Sequence, residues 1–201
     1  NVVGLGSAGC NIADNLSGYP QYNIYKIDVG LKKGKGNFPI TKRSSTEQYE
    51  ENFSQKVFSD LKKIKGDVLF IVGGGGSISS ASLRILEALK GNKIEVIYVR
   101  PDVTFTNEMG IMLDRAAFNV FQEYARSGVF EKLYIVSNSD IENVVGEIPV
   151  SKYHEKINEI IASTIHMINV YKNSETPLSN IAEGIGVSRI STIGVGKMEN
   201  V

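Results

Sequence analysis

The sequence predicts an α/β domain, a doubly wound and mainly parallel β-sheet with helices on both faces. Short apolar runs alternate with amphipathic runs along most of the 201 residues, which is typical of parallel strands joined by helices. Two glycine clusters, Gly4-Leu5-Gly6-Ser7-Ala8-Gly9 and Gly73-Gly74-Gly75-Gly76, each follow an apolar run directly. Because such folds bind ligands at the carboxyl ends of their strands, we expect both clusters at the ligand-binding edge.

Six apolar runs have the length and composition of buried strands. They are residues 2–5, 22–27, 67–72, 94–100, 133–136 and 190–193. The stretches between them predict helices over residues 9–16, 45–64, 77–89, 107–126 and 151–171. Ser45 or Thr46 starts the second helix with a capping-box pattern, and Gly128 marks the end of the fourth.

Composition excludes several classes of function. The 22 basic and 22 acidic residues cancel, which argues against broad nucleic-acid binding. A basic cluster between residues 32 and 43 is more simply a solvated loop. The single cysteine, Cys10, allows no internal disulfide and favours a reducing compartment. No apolar run approaches the roughly 20 residues of a membrane span, so we expect a cytoplasmic protein.

The first glycine cluster has the Gly4-x-Gly6-x-x-Gly9 spacing of a phosphate-binding turn. Glycine lets backbone N–H groups approach a ligand, and the helix that follows adds unpaired donors and a partial positive charge. Asp28 ends the next predicted strand, where a ribose-binding acid stands in dinucleotide-binding domains. Taken alone, this turn predicts an NAD-type domain.

The second cluster has more glycines than a plain strand-to-helix turn needs. Four consecutive glycines lose much backbone entropy on folding, so their presence requires a reason. Ser77, Ser79 and Ser80 add hydroxyl groups directly behind them, and Ser77 is also a candidate N-cap. Two phosphate-binding turns together predict a polyphosphate that is held from two sides.

These motifs resemble those of the tubulin/FtsZ superfamily. Gly4-Leu-Gly-Ser-Ala-Gly-Cys-Asn11 is similar to its first phosphate loop, and Gly74-Gly-Gly-Ser-Ile-Ser-Ser80 is similar to its signature Gly-Gly-Gly-Thr-Gly-Thr-Gly. Serine replaces both threonines of the signature, whereas Ile78 and Ser80 replace two of its glycines. The order of the elements also agrees, and the helix over residues 151–171 resembles the family's central helix.

The resemblance implies GTP or GDP as ligand, with Mg²⁺. The residues that it places on the phosphates are Gly6, Ser7, Ala8, Gly9, Cys10 and Asn11 in the first loop and Gly74, Gly75, Gly76, Ser77 and Ser79 in the second. The residues that it places on the nucleoside are Glu108 at the ribose, Asn138 at the end of a strand, and His154 and Asn158 at the guanine. His154 and Asn158 are one helical turn apart, and Tyr153 is a competing ring.

The resemblance also implies self-association into head-to-tail filaments, in which acidic residues behind the central helix complete the site of the neighbouring subunit. In this sequence Glu175 is the one acid of the comparable stretch, residues 172–180, so Glu175 is the catalytic candidate, with Glu183 as an alternative. Without an aspartate pair, GTP hydrolysis at subunit interfaces is possible but is expected to be slow. The implied organisation is a nucleotide-binding domain over residues 1–150, a connecting helix over 151–172, and a connector with the start of a second domain over 173–201.

Two alternatives remain open. An NAD-binding oxidoreductase module explains the first glycine turn and Asp28, but it leaves the second cluster without a role. A tubulin-like scaffold that has lost its nucleotide explains Ile78, Ser80 and the missing acidic residues.

Overall fold

The computed structural model describes residues 1–145, 149–174 and 188–194. Within them the strands are β1 (Val2–Leu5), β2 (Ile24–Val29), β3 (Asn37–Ile40), β4 (Val68–Gly73), β5 (Ile94–Arg100), β6 (Lys132–Ser137) and β7 (Ile190–Thr192). They form one sheet in the order β3-β2-β1-β4-β5-β6-β7, and every neighbouring pair is parallel. The predicted doubly wound sheet is therefore confirmed.

Helices cover both faces of this sheet, as parallel strands require. They are α1 (Gly6–Leu16), α2 (Glu47–Glu51), α3 (Gln55–Leu61), α4 (Ser82–Leu89), α5 (Glu108–Ser127), α6 (Asn138–Val145) and α7 (Tyr153–Asn173). One apolar layer joins the sheet to α2, α3, α4 and α5, and the other joins it to α1, α6 and α7. Within the described residues, no helix is long and apolar enough to cross a bilayer.

The central strands alternate their side chains between the two layers. Phe70 and Tyr98 are fully buried in the layer that contains α5, whereas Leu69 and Ile71 are buried in the layer that contains α7. Because each strand has apolar residues on both sides, the runs read as continuous rather than alternating. α1 and α4 therefore leave the adjacent strands β1 and β4 toward opposite faces of the sheet.

The predicted helix over residues 45–64 is wrong in two respects. The chain forms the separate helices α2 and α3, because Ser54 caps α3 by accepting a hydrogen bond from the backbone N–H of Val57 at 3.4 Å. The proposed capping box is absent, since Thr46 has helical backbone angles and its side chain makes no capping hydrogen bond. By contrast, α5 ends before Gly128 as predicted, and Gly128 has a φ of +75°.

Three further differences concern the edges of the sheet and one connection. Strand β3 and helix α6 were not predicted from the sequence. Residues 190–192, which the sequence analysis placed at the start of a second domain, form β7 instead and pair with β6 in the same sheet. The predicted boundaries of the three domains stay predictions, since residues 175–187 and 195–201 lie outside the described residues.

Candidate functional site

The first glycine turn connects β1 to α1, and its backbone packs directly against neighbouring backbone. A Cβ added at Gly4 would overlap the carbonyl group of Gly9, and a Cβ at Gly9 would overlap the carbonyl oxygen of Ile71 on β4. Gly6 opens α1 with a φ of +68°, a conformation that side chains disfavour. The first N–H groups of α1 have no acceptor inside the helix, so this turn has the donors that a phosphate needs.

Side chains of the first turn differ in their access to a ligand. Ser7 and Asn11 are exposed and Ala8 is half-buried, whereas Cys10 is buried. The Cys10 thiol donates weak hydrogen bonds to the carbonyl oxygens of Gly4 at 3.5 Å and Ile27 at 3.6 Å. Burial raises the pKa of Cys10 to about 12, so it remains a neutral thiol. Any contact between Cys10 and a ligand is therefore left to its backbone.

The second glycine turn follows β4 and leads into a 3₁₀ helix over Ser77–Ala81. Gly75 has a φ of +79°, and a Cβ there would lie 3.3 Å from the carbonyl oxygen of Gly110 in the first turn of α5. A Cβ at Gly74 would overlap the side chains of Asp114 and Tyr98. At least two of the four glycines are thus required by the fold, one for its backbone angles and one for space.

The two turns meet between β1 and β4. A Cβ at Gly73 would lie 3.0 Å from the Cβ of Ala8, and a Cβ at Gly6 would lie 2.8 Å from Cγ2 of Ile78. The chain leaves β1 toward β2 on one side of the sheet and leaves β4 toward β5 on the other. The crevice between their carboxyl ends is therefore the topological switch point, at which open α/β sheets bind their ligands.

The serines behind the second turn do not act as the sequence analysis expected. Gly76, not Ser77, occupies the N-cap position of the 3₁₀ helix. The Ser79 hydroxyl is buried and donates to the carbonyl oxygen of Gly76 at 2.7 Å. The Ser80 hydroxyl lies 2.5 Å from the carbonyl oxygen of Thr46. The hydroxyls of Ser79 and Ser80 thus bind backbone, and Ser77 is the serine of this group that is exposed.

A polar cluster of the buried Tyr98 and Asp114 and the partly exposed Arg100 supports the second turn, and sequence analysis missed it. Asp114 is 4% exposed and accepts hydrogen bonds from the Tyr98 hydroxyl at 2.9 Å and from Arg100 Nη2 at 2.7 Å and Nε at 3.2 Å. Burial raises the pKa of Tyr98 above its usual range, and the charge of Asp114 adds to this. The hydrogen bond to Asp114 raises the pKa of Arg100.

The residues expected to bind the nucleoside lie at the same edge of the sheet, beyond β5 and β6. Glu108 is exposed in the first turn of α5, and Asn138 starts α6 directly behind β6. His154 and Asn158 stand in the first two turns of α7 with different surroundings, because His154 is exposed whereas Asn158 is 8% exposed. The structure thus brings α6 and the start of α7 to one edge of the sheet. His154 and Asn158 differ in exposure there, so they do not form the matched pair that their spacing suggested.

Tyr153 is the more enclosed of the two rings at the start of α7. It is 7% exposed, and its ring packs edge-on against Phe105 with 5.6 Å between the centroids. Its hydroxyl has no hydrogen-bond partner among the described residues, nor does Oδ1 of Asn138. Burial raises the pKa of Tyr153 to about 12, and the Glu142 carboxylate, which the Tyr153 hydroxyl approaches, raises it further, as does the charge of Asp102.

These features fit a nucleotide. Both turns offer backbone donors in places where a Cβ would not fit, and one buried polar atom at the same edge, Oδ1 of Asn138, has no partner in the described part of the chain. Buried polar groups normally have a partner, so a polar ligand would satisfy this atom. The described residues contain no group of three metal-ligating side chains, so Mg²⁺ would depend on phosphate oxygens and water, as it commonly does. The catalytic candidate Glu175 lies outside the described residues.

Comparison with solved structures shows that the fold is of the FtsZ and TubZ type. An FtsZ dimer from M. jannaschii matches with a TM-score of 0.71 at 14% identity, over 88% of this chain and 56% of that one. GDP-form protofilaments of TubZ from Bacillus thuringiensis serovar israelensis match with a TM-score of 0.66 at 14% identity, over 84% of this chain and 53% of that one. The chain therefore spans little more than half the length of these proteins.

A dehydrogenase-like structure is more distant. A putative short-chain dehydrogenase/reductase from Corynebacterium glutamicum matches with a TM-score of 0.53 at 14% identity, over 98% of this chain and 100% of that one. No protein-family model and no curated protein sequence matches the chain. The comparisons thus confirm the predicted divergent tubulin/FtsZ-like fold, and they leave its ligand to be argued from the site.

Proposed function

We propose that this chain is the guanine-nucleotide-binding part of a cytoplasmic, filament-forming protein of the tubulin/FtsZ type. The observation that supports this most is the meeting of two glycine turns at the topological switch point, with Gly73 of one turn facing Ala8 of the other. A single turn is enough for the pyrophosphate of a dinucleotide, whereas two facing turns suit a longer phosphate chain.

In this proposal, different residues of the chain bind the phosphates and the nucleoside. The backbone N–H groups of residues 6–11 and 74–79 hold the phosphates, and Glu108 faces the ribose. Asn138, His154 and Asn158 lie on the nucleoside side, as the resemblance implies. When bound, Mg²⁺ would neutralise phosphate charge and keep most of its ligands as water. Hydrolysis is not part of the proposal, because its one candidate, Glu175, comes from the resemblance alone.

The assemblies formed by the structural neighbours support the same assignment. The solved FtsZ structure is a dimer and the TubZ structure is a protofilament. Several apolar side chains at the ligand-binding edge are exposed, among them Val103, Phe105 and Met109, at 64%, 67% and 58%. Exposed apolar side chains that cluster on one surface are typical of a contact with another protein. We propose a second copy of this chain as that protein, stacked head to tail.

Calorimetric titration with a non-hydrolysable GTP analogue and Mg²⁺ tests nucleotide binding, with an ATP analogue and NADH as comparators. Guanine-selective binding supports the proposal. Selective binding of NADH would instead favour an oxidoreductase, for which the first glycine turn and Asp28 at the end of β2 also have the expected placement. Sedimentation with and without the GTP analogue then tests whether the protein assembles.

The variant Gly75→Val tests the phosphate contacts. It places a branched side chain in the second turn at a φ of +79°, and we expect at least a hundredfold loss of affinity, or ~2.7 kcal/mol. Gly91→Val is the matched control, because Gly91 has a φ of +96° and no atom within 4 Å of an added Cβ, far from either turn in the sequence. Equal affinity of the two variants would contradict the assignment of the second turn to phosphate.

A further inference from the structure

Ile78 lies where the two glycine turns face each other. Its Cγ2 methyl group would be 2.8 Å from a Cβ at Gly6 and 3.9 Å from a Cβ at Gly76. One methyl group thus contacts the first residue of α1 and stands beside the last glycine of the second turn. The corresponding position of the signature that this turn resembles is a glycine, which would leave the same space open.

The position of Ile78 is fixed by packing rather than free to change. Ile78 is half-buried and packs against the apolar layer that contains α4 and α5. Its neighbour Ser79 is buried and hydrogen-bonded to Gly76, which holds the 3₁₀ helix in register. A β-branched side chain also has few rotamers to choose from. These contacts favour a methyl group that stays between the two turns.

An apolar group at this place has a definite effect on phosphate binding. A phosphate oxygen beside a methyl group loses its hydration and gains no hydrogen bond, which is unfavourable for a charged atom. In the arrangement that the resemblance implies, the first turn holds the α- and β-phosphates and the second turn holds the β- and γ-phosphates, so the cost falls on the phosphates nearest the second turn. A longer phosphate chain is therefore penalised more than a shorter one.

We propose that Ile78 is a specificity-determining residue, which narrows the space between the two turns and makes the site prefer a nucleoside diphosphate over a triphosphate. This inference rests on the proposed function, since it assumes that the two turns bind a nucleotide. Replacing the side chain with a smaller one would open the space for the terminal phosphate.

The test compares the affinities for GDP and for a non-hydrolysable GTP analogue, both with Mg²⁺, in the wild type, Ile78→Ala and Ile78→Gly. We expect the smaller side chains to shift the ratio of the two affinities toward the triphosphate by at least about tenfold, or ~1.4 kcal/mol. Ile168→Ala is the matched control, because Ile168 is also half-buried but packs in the opposite apolar layer, near the far end of α7.

The outcomes separate the inference from the function on which it rests. A shifted ratio in the Ile78 variants but not in Ile168→Ala supports the inference, as does binding of the triphosphate by a variant alone. Binding of both nucleotides with an unchanged ratio overturns the inference and leaves the proposed function intact. If neither nucleotide binds to any of the four proteins, the proposed function fails, and the inference fails with it. Thermal melting of each variant shows that a folded protein is being titrated, and Ile78→Ala carries the test if Ile78→Gly does not fold.

Discussion

Replacing Gly74 by alanine tests whether the second turn depends on the polar cluster beneath it. A Cβ on Gly74 would lie closer than 3.0 Å to Oδ1 of Asp114 and to the hydroxyl of Tyr98, a separation that real Cβ atoms almost never show. The backbone of Gly74 cannot retreat easily, because its N–H donates to the carbonyl oxygen of Val99 at 2.8 Å. The added methyl group must therefore displace the side chains of the cluster.

The expected cost follows from what those side chains do. Overfilling a packed interior costs roughly 1–3 kcal/mol, and separating a buried ion pair costs about 3–5 kcal/mol. Asp114 is 4% exposed, so its hydrogen bonds to Tyr98 and Arg100 are not replaced by water. The Arg100 side chain, however, is 37% exposed, and water screens part of its loss. We therefore expect Gly74→Ala to lower the free energy of unfolding by about 3 kcal/mol.

Urea denaturation measures this free energy, with Gly18→Ala as the control. A Cβ at Gly18 would meet only the carbonyl oxygen of Asn15, at an ordinary 3.7 Å, so that variant should not be destabilised. Combining Gly74→Ala with Tyr98→Phe removes one of the two overlapping atoms, and the two changes should be non-additive by about 1 kcal/mol. A stability of Gly74→Ala within about 0.5 kcal/mol of the wild type would refute the reasoning, as would strict additivity.

Two further predictions concern stability alone. The pKa of Cys10 is about 12 in the folded protein, whereas that of a free thiol is 9.0. Above pH 9 the unfolded chain therefore releases a proton that the folded chain keeps, and the free energy of unfolding falls as the pH rises. Denaturation between pH 9 and pH 12 should show the wild type losing about 1.4 kcal/mol per pH unit relative to Cys10→Ala, and parallel curves would contradict this. Asn107 caps α5 by accepting a hydrogen bond from the N–H of Gly110 at 2.8 Å. Asn107→Ala should therefore lower the free energy of unfolding, measured by urea denaturation, by about 1 kcal/mol. Asn119→Ala, at an exposed site within α5, is the control and should leave this free energy nearly unchanged.

The sequence was most informative where one residue type has one physical reason to be present. Gly128 ends α5 in the left-handed conformation, as the sequence predicted for the end of that helix, and Gly6 and Gly75 have positive φ within the two turns that the sequence marks by their glycines. The central strands were predictable for a similar reason, because a strand that is buried on both faces must be apolar throughout.

The elements that sequence analysis missed have weaker local signals. Strand β3 has four residues, includes Pro39 and lies at the edge of the sheet, where few apolar contacts are needed. A connection of seven residues suffices for its parallel pairing with β2, because β3 begins level with Lys26 rather than at the start of β2. Nothing in the sequence alone fixes that register, so the segment looked like a loop.

The sequence predicted the two glycine turns of the candidate site, but it did not predict the contacts that the side chains around them make. A glycine turn is a local pattern, whereas the contact between Tyr98, Arg100 and Asp114 depends on how α5 crosses the strand that precedes it. The two strand residues share a face because they are two positions apart, but the partner on the helix is set by packing. The serines of the second turn show the same limit, since their hydroxyls bind backbone that only the folded chain brings near.

The proposed nucleotide rests on the second turn rather than on the fold. An FtsZ structure and a short-chain dehydrogenase/reductase structure both match the chain, so the sheet by itself does not identify a ligand. The first turn and Asp28 do not discriminate between ligands either, because mononucleotide-binding and dinucleotide-binding domains can both have a glycine-rich turn at the start of the sheet. The fold itself requires Gly74 and Gly75, but a dinucleotide gives no reason for a second glycine turn that faces Ala8 of the first. Ile78 lies in the 3₁₀ helix directly behind that turn, and its substitution tests whether one side chain narrows a nucleotide site, whereas absence of binding in the wild type and in every variant would indicate a scaffold that binds no nucleotide.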